Sequence, residues 1–143
     1  MTQVFLDTNI LLEIVLNRKY KHACQQILQA GLNGEIRNHA SILTFANMAY
    51  ILEKEKIGKP QTYSILRDIA SVVNVLEMDS RQLWSALTQE VKDFEDMLQY
   101  QCAVDSSCDC IVTINTKHFL PFCSIPLYKP DDMIALIDDY NLK

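Results

Sequence analysis

One stretch near the start of the chain, residues 4–12, limits the possible folds more than any other, because a strand-like apolar run ends on a carboxylate and helical periodicity follows at once. In parallel α/β sheets, ligands lie at the carboxyl ends of the strands, so we expect Asp7 at the mouth of a crevice. Thr8 or Asn9 is expected to cap the following helix, since a short polar side chain can satisfy a first-turn N–H. Taken alone, Asp7 is better explained by a simple cap or turn role, so a functional interpretation needs further acids at the same edge.

Length and composition predict one compact domain over residues 1–143. The chain is 49% hydrophobic, has three glycines and shows no linker-like window. No apolar run approaches the roughly 18 residues of a membrane span, and Asp7 interrupts the stretch where a secretory signal would have its apolar region. Five cysteines, an odd number, fit reduced thiols. We therefore expect a cytoplasmic protein that does not bind membranes.

The net charge of −5 argues against a protein that holds nucleic acid over a broad basic face. A local basic rim stays open, because lysines and arginines cluster twice in the sequence. The clusters are Arg18, Lys19 and Lys21, and then Lys54, Lys56 and Lys59. An ordinary solvated surface explains both clusters equally well.

Apolar patterning predicts strands that alternate with helices, which favours βαβ crossovers and a mostly parallel sheet with helices on both faces. After the first strand, the predicted strands are 35–39, 72–76, 109–113 and an edge strand near 124–128. After the first helix, the predicted helices are 20–30 (closing at Gly31), 41–55, 60–70, 79 or 80 to 90, 93–104 and 130–139. The predicted buried side chains include Ile42, Phe45, Ala46, Ala49, Tyr50 and Leu52 on the 41–55 helix, and Trp84 with Leu83 and Leu87.

A second acidic group, Asp93, Glu95 and Asp96, opens one of these helices. The helix dipole favours acids at an N-terminus by roughly 0.3 to 1 kcal/mol each, and this accounts well for Asp93 as an N-cap. It accounts less well for three acids within four residues, because their mutual repulsion calls for a counter-charge. A hard divalent cation with oxygen ligands would supply that charge.

A third polar group follows the predicted strand 109–113. Thr113 and Asn115 stand at its carboxyl end, and they face Asp7 if this strand lies beside the first one. Turn chemistry after a strand explains the same residues when they are taken alone.

These three segments together resemble the VapC-like PIN-domain proteins. The shared features are a strand followed by DTN, acids that open a helix at 93–96, and the segment 111–119, which stands in the place of the family's IVTRN-x-x-DF. The resemblance spans nearly the whole chain in the right order. It implies a three-layer α/β/α fold with a parallel sheet of four to five strands. It also implies a Mg²⁺- or Mn²⁺-dependent ribonuclease, often the toxin of a toxin–antitoxin pair.

Carried over residue by residue, the resemblance makes Asp7 the first acid and Asp96 the helix-start acid, with Asp93 beside it and Asn115 at the family's Asp-or-Asn position. Asn47 stands where the family usually has a Glu, which removes one negative charge and should lower metal affinity. His118 also stands where an Asp is frequent.

The implied mechanism places Mg²⁺ or Mn²⁺ on Asp7 and Asp96, with Asp93 and Asn115 as further ligands, so that water is activated for attack on RNA. Thr8, Asn9 and Thr113 are expected to support these acids by hydrogen bonds. Arg18, Lys19, Lys21 and Lys117 are the candidate RNA contacts. The implied partners are RNA, a possible antitoxin and a second copy of the chain in a homodimer.

Two alternatives stay open from the sequence. Asn47 favours a PIN-like module that binds RNA or protein with a weakened metal site, whereas the retained acids favour the enzyme. A flavodoxin-like regulator fits the 107–119 segment less well.

A zinc site at Cys102, Cys108 and Cys110 lacks a second Cys or His pair, so we interpret these residues as buried apolar thiols. His118 is expected to have a surface or packing role.

Overall fold

A computed structural model describes residues 1–141 and contains a parallel sheet of five strands. The strands are β1 (Thr2–Leu6), β2 (Ile36–Ser41), β3 (Asn74–Leu76), β4 (Cys110–Val112) and β5 (Leu127–Tyr128). Their order across the sheet is β3-β2-β1-β4-β5, and all four pairings are parallel. The predicted parallel sheet of four to five strands is confirmed.

Eight helices connect or follow these strands within the described residues. They are α1 (Thr8–Val15), α2 (Lys21–Leu32), α3 (Ile42–Lys54), α4 (Lys59–Val72), α5 (Ser80–Ala86), α6 (Phe94–Asp105), α7 (Thr116–Phe119) and α8 (Pro130–Asn141). The sequence predicts all of them except α7, a single turn too short to show periodicity. No helix in the described part of the chain is both long and apolar enough to span a membrane.

Successive residues of β1 point to opposite faces of the sheet, and each face has its own core. Val4 and Leu6 pack into a cluster with side chains of α1, α2, α4 and α8. Phe5 points the other way, into a cluster with side chains of α5, α6 and α7. Helices therefore cover both faces, as the three-layer α/β/α prediction requires.

The strand order determines where a ligand can bind. β1 is the central strand, and the chain crosses to β2 on one side and to β4 on the other. The carboxyl end of β1 is thus a point where connections diverge, and crevices form at such points. A flavodoxin-like sheet would place β1 between β2 and β3, so the observed order rules out that alternative.

Several predicted element boundaries are wrong by a few residues. Helix α2 does not end at Gly31 but continues to Leu32. Close packing explains the glycine, since a Cβ at Gly31 would lie only 2.5 Å from Nδ2 of Asn38. The third strand starts at Asn74, two residues late, because α4 extends through Val72. Helix α5 ends at Ala86, four residues before the predicted end.

The predicted burial is wrong on α5 and partly wrong on α3, where it is confirmed for Leu52. Trp84 is 68% exposed, and Leu83 and Leu87 are exposed with it, because the short α5 packs on its neighbour through Gln82 and Ala86. On α3 the buried stripe is Thr44, Met48 and Leu52, so Ile42, Ala46 and Tyr50 face outward. Thr44 can be buried because its hydroxyl has hydrogen-bond partners, and this shifts the helix face relative to the apolar pattern.

Candidate metal centre at the carboxyl edge of the sheet

Asp7 lies directly after the central strand and is almost completely buried. Its backbone N–H donates to the carbonyl of Val112, which joins the ends of β1 and β4. Its side chain is held by Thr8, whose backbone N–H donates to Oδ1 at 2.8 Å, and by Thr113, whose hydroxyl donates to Oδ2 at 2.8 Å. Asp7 itself is the N-cap of α1, so the expectation that Thr8 or Asn9 caps this helix is wrong.

The Thr113 hydroxyl uses its whole hydrogen-bonding capacity at the edge of β4. It donates to Asp7 and accepts from the side-chain amide of Asn9 at 3.3 Å and from the backbone N–H of Asn115 at 3.1 Å. One donated and two accepted bonds leave it no free lone pair. Thr113 therefore holds Asp7 directly, and Asn9 contacts Thr113 rather than Asp7; the supporting role of both stays a prediction.

The N-terminus of α6 brings three further acids to the same place. Asp93 is the N-cap and accepts from the backbone N–H of Asp96 at 3.1 Å. Asp96 is buried, whereas Glu95 is exposed and accepts from Nδ2 of Asn47 at 2.7 Å. The predicted cap and the predicted site acid thus lie in one helical turn.

A buried polar network lies beneath these acids and joins three helices. Gln99, one turn after Asp96, donates to the hydroxyls of Thr8 at 3.2 Å and Thr44 at 2.8 Å, and it accepts from the hydroxyl of Ser41 at 2.5 Å. The Thr8 and Thr44 hydroxyls also bond to each other at 2.9 Å. Because Thr8 follows Asp7, the network fixes α6 relative to Asp7.

His118 joins the acids from the other side, on α7. Its Nδ1 lies 3.3 Å from Oδ2 of Asp96 and 4.0 Å from Oδ2 of Asp93. One donor atom of each of these three residues lies within 4.8 Å of the other two. Asp7 is outside this trio and faces the same cavity from the sheet edge.

The acids line one open cavity of about 410 Å³. Its acidic lining residues are Asp7, Asp93, Glu95 and Asp96, and its polar lining residues are Thr8, Asn9, Asn47 and Asn115. Arg18 and His118 supply the basic side chains, and Leu12, Tyr50 and Ile51 the apolar wall. Every candidate catalytic or metal-binding residue chosen from the sequence lines this cavity.

Burial and mutual repulsion raise the pKa of three of these acids. The pKa of Asp7 rises from 3.8 to about 6, mainly because the carboxyl is buried, although the bonds from Thr113 and Thr8 oppose the rise. Burial also raises the pKa of Asp96, and the charges of Asp7 and Asp93 raise it further. Burial and the charge of Asp93 raise the pKa of Glu95, against the bond from Asn47. The acids therefore repel one another when they are negatively charged, and burial makes each charge more costly.

The donor atoms of this cavity fit a hard divalent cation. Each oxygen of Asp7 accepts one hydrogen bond from the protein, so each keeps a lone pair for a ligand. Asp93 and Asp96 offer more carboxylate oxygens, and Asn115 is an amide at the rim. Oxygen ligands from a few carboxylates are typical of Mg²⁺ and Mn²⁺ sites.

Three contributors were not selected from the sequence. Glu95 was seen in the acidic group but was not given a role, and its bond to Asn47 has no sequence signal. His118 was expected to have a surface or packing role, although its position three residues after Asn115 is a usable cue. Gln99 could have been found only from its spacing, one helical turn after Asp96.

Only one of the four basic residues predicted to contact RNA is among the residues that line the cavity. Arg18 lines the cavity, whereas Lys19, Lys21 and Lys117 are not among its lining residues. The ammonium group of Lys19 lies 5.2 Å from the ring centre of Tyr20. Arg18 is therefore the basic residue best placed to meet a phosphate at the acids.

The cysteines carry no sign of a metal site. Cys102, Cys108 and Cys110 are free and buried, and burial raises their pKa to about 11, 12 and 12. The thiols stay protonated at neutral pH, which agrees with their interpretation as small apolar core residues.

Comparison with known proteins identifies related sequences. The PIN domain family matches residues 3–117. Ribonuclease VapC1 of Aquifex aeolicus (strain VF5) is 24% identical over an alignment of 151 residues, which covers 96% of this chain and 92% of that protein.

Solved structures share the fold. VapBC2 from Rickettsia felis, bound to a DNA fragment from its promoter, superposes with a TM-score of 0.69 at 18% identity and covers 90% of this chain and 98% of its own. VapBC-1 from nontypeable Haemophilus influenzae gives a TM-score of 0.66 at 16% identity, with 91% and 99% covered. A toxin–antitoxin complex from Klebsiella pneumoniae gives 0.61 at 22% identity, with 89% and 97% covered.

Proposed function

We propose that this chain, which belongs to the PIN domain family, is a ribonuclease that uses Mg²⁺ or Mn²⁺ to hydrolyse phosphodiester bonds in RNA. One observation carries the proposal: Asp7, Asp93 and Asp96 converge from two distant segments on one open cavity. Burial, and then repulsion from Asp7 and Asp93, raise the pKa of Asp96, so the charged site costs stability that a bound cation would offset. The related VapC1 of Aquifex aeolicus is itself named a ribonuclease, which supports the same activity.

The residues of the chain have separate roles in this proposal. Asp7, Asp93 and Asp96 would hold the ion, and Asn115 would offer a neutral oxygen beside them. When bound, the ion supplies Lewis acidity that activates water and neutralises charge on the scissile phosphate. Asp93 or Asp96 orients the attacking water. Thr113 fixes Asp7 through its donated hydrogen bond.

Substrate binding in the proposal relies on local charge. Arg18 lines the cavity and would contact a phosphate of the RNA, since a guanidinium can donate two bonds to phosphate oxygens. Lys19, Lys21 and Lys117 would contact RNA farther from the cleaved bond. RNA as the substrate agrees with the cytoplasmic location expected from the sequence.

Cleavage of fluorescent single-stranded RNA by the full chain, with Mn²⁺ or Mg²⁺, tests the activity. Asp7→Asn and Asp96→Asn should each abolish cleavage and the rise in melting temperature that Mn²⁺ causes. Asp68→Asn, an exposed acid of α4 that is not among the cavity-lining residues, is the matched control and should keep both. Cleavage that persists in chelator, or in Asp7→Asn, would contradict the proposal.

A second candidate function rests on Asn47. This amide stands where the family usually has an acid, and it bonds to Glu95 instead of adding a charge. A binding module that holds RNA or a protein partner without cleavage would have this feature. RNA binding that is independent of Mn²⁺, together with no cleavage by wild type on varied RNAs, would favour the module.

We also propose an antitoxin partner and a homodimer. The structural neighbours include VapBC and toxin–antitoxin complexes, which supports a protein partner for this chain. Leu83 and Trp84 on α5 and Leu87 at its C-cap are exposed apolar residues, and such residues are a suitable contact between copies. Light scattering on the purified chain should give the mass of a dimer, and Trp84→Glu should give that of a monomer.

A further inference from the structure

The half-exposed side chain of His118 lies unusually close to two carboxylates. Its side chain is 53% exposed, yet its Nδ1 lies 3.3 Å from the buried Asp96 carboxylate and 4.0 Å from that of Asp93. The single turn of α7 brings it there: the backbone N–H of His118 donates to the carbonyl of Asn115, so the ring returns to the cavity that Asn115 lines.

Two explanations fit an imidazole between two carboxylates. The first is an ion pair between a protonated ring and the Asp96 carboxylate, but water reaches the half-exposed imidazole and screens its charge, which weakens such a pair. The second is a shared ligand set. Two ligands that are each about 2.1 Å from one ion lie at most about 4.2 Å apart. The 3.3 and 4.0 Å distances from Nδ1 to the two carboxylates are within that limit.

The rest of the cavity makes the second explanation informative. Asn47 contributes no charge, and its amide N–H is engaged with Glu95. The site therefore has one carboxylate fewer than the resemblance implies, and it has one nitrogen donor more. Carboxylates suit Mg²⁺, whereas an imidazole increases affinity for borderline ions such as Co²⁺, Ni²⁺ and Zn²⁺.

We propose that His118 is a metal ligand together with Asp93 and Asp96, and that this site consequently prefers borderline divalent transition-metal ions to Mg²⁺. The inference rests on the proposed metal-dependent function and deepens it by naming the ligand set and the class of ion. His118 supplies a neutral nitrogen, Asp93 and Asp96 supply negative oxygens, and Asp7 faces the same cavity from the sheet edge.

Calorimetric titration of the metal-free full chain with Co²⁺ and with Mg²⁺ tests the ligand set. His118→Asn should weaken Co²⁺ binding about tenfold or more and Mg²⁺ binding less than about twofold. His118→Asp should strengthen Mg²⁺ binding and so reduce the preference for Co²⁺ relative to wild type. His22→Asn, a change at an exposed histidine of α2, is the matched control and should change neither affinity.

A second measurement needs no substitution. The chain has three histidines, so ¹⁵N-histidine NMR of the wild type resolves each ring. Addition of Zn²⁺ should shift the Nδ1 signal of His118 and leave those of His22 and His39 in place.

The outcomes separate this inference from the proposed function. If both ions bind to wild type and His118→Asn changes neither affinity, or weakens both equally, the imidazole is not a ligand, while the metal-dependent ribonuclease stands. An unshifted His118 signal in Zn²⁺-saturated protein leads to the same conclusion. If neither ion binds to wild type, both the ligand set and the metal-dependent function are overturned.

Discussion

The side-chain amide of Asn47 donates a 2.7 Å hydrogen bond to the Glu95 carboxylate, and this bond joins α3 to the first turn of α6 across the cavity. The bond opposes the rise in the pKa of Glu95 that burial and Asp93 cause. At position 47, where the resemblance implies a Glu, the chain has an amide that donates to a neighbouring acid. A carboxylate at position 47 would therefore face the negative charge of Glu95 in metal-free protein.

Asn47→Glu is therefore expected to act in opposite directions in the two states of the site. In metal-free protein it should lower the free energy of unfolding by about 1 kcal/mol, because a hydrogen bond becomes a like-charge contact near the surface. With Mn²⁺ the added charge should increase the stabilisation by the ion. Thermal melts with chelator and with Mn²⁺ measure both effects.

The exchanged pair Asn47→Glu with Glu95→Gln is the control for that experiment. It restores an amide next to a carboxylate, so the metal-free stability should return to near that of wild type. A double variant as unstable as Asn47→Glu alone would show that the longer side chain, rather than its charge, is responsible.

The stability of metal-free protein should fall as the pH rises through the range of the Asp7 titration. The pKa of Asp7 is raised from 3.8 to about 6, so the native state binds a proton more tightly than the unfolded chain does. The loss in the free energy of unfolding that comes from ionising Asp7 is absent below about pH 4 and develops between about pH 4 and 6. Above about pH 6 it is complete and is on the order of 2 to 3 kcal/mol. The pKa values of Asp96 and Glu95 are also raised, so their titration lowers stability with rising pH in the same direction.

Asp7→Asn should remove much of this slope and stabilise metal-free protein at pH 7.5, although under the proposed function it should abolish cleavage. Urea denaturation in chelator at several pH values gives the slope, and Asp68→Asn should keep it. A variant less stable than wild type at pH 7.5 would mean that the bonds from Thr8 and Thr113 outweigh the burial of the charge.

Gln99→Met tests the buried network that joins α1, α3 and α6. The change keeps the size of the side chain but leaves the buried Ser41 hydroxyl without its acceptor and removes one donor each from Thr8 and Thr44. We expect a loss of about 2 to 3 kcal/mol in the free energy of unfolding, measured with urea. Gln25→Met, on the exposed face of α2, should change it little.

Arg18→Gln should weaken RNA binding more than the same change at Lys19 or Lys21. Arg18 alone among these three lines the cavity. Loss of one phosphate contact should reduce the slope of log affinity against log salt by about 0.7 for single-stranded RNA. Fluorescence anisotropy of the cleavage-deficient Asp7→Asn protein at several salt concentrations gives this slope. An unchanged slope for Arg18→Gln would place the RNA elsewhere.

The main features of the fold and the acids were predictable because they depend on local patterns. A strand that ends on Asp7, a helix that begins at Asp93 and a strand that leads to Thr113 each have a signature within a few residues. The parallel topology then brings these ends together without further information from the sequence.

The rest could not be predicted because it depends on contacts between distant residues. Thr44 has no apolar signal for burial and is buried because Gln99, 55 residues later, completes its hydrogen bonds. Trp84 has a strong apolar signal and is exposed because α5 packs through Gln82 and Ala86, and Gln82 bonds to Asp105 at the end of α6. The return of His118 to the acids depends on α7, a turn without periodicity.

The hydrogen bond between Asp7 and Thr113 joins residues 106 positions apart, because the central strand is made first and its neighbour β4 almost last. At about 5 to 20 residues per second, a ribosome needs about 5 to 20 s to add that length of chain. Until then Asp7 lacks Thr113, and α6 has no β4 beside it to complete the sheet edge. Under the proposed ribonuclease function, a nascent chain is accordingly expected to lack a complete site while its messenger RNA is being translated, and to gain activity only near the end of its own synthesis.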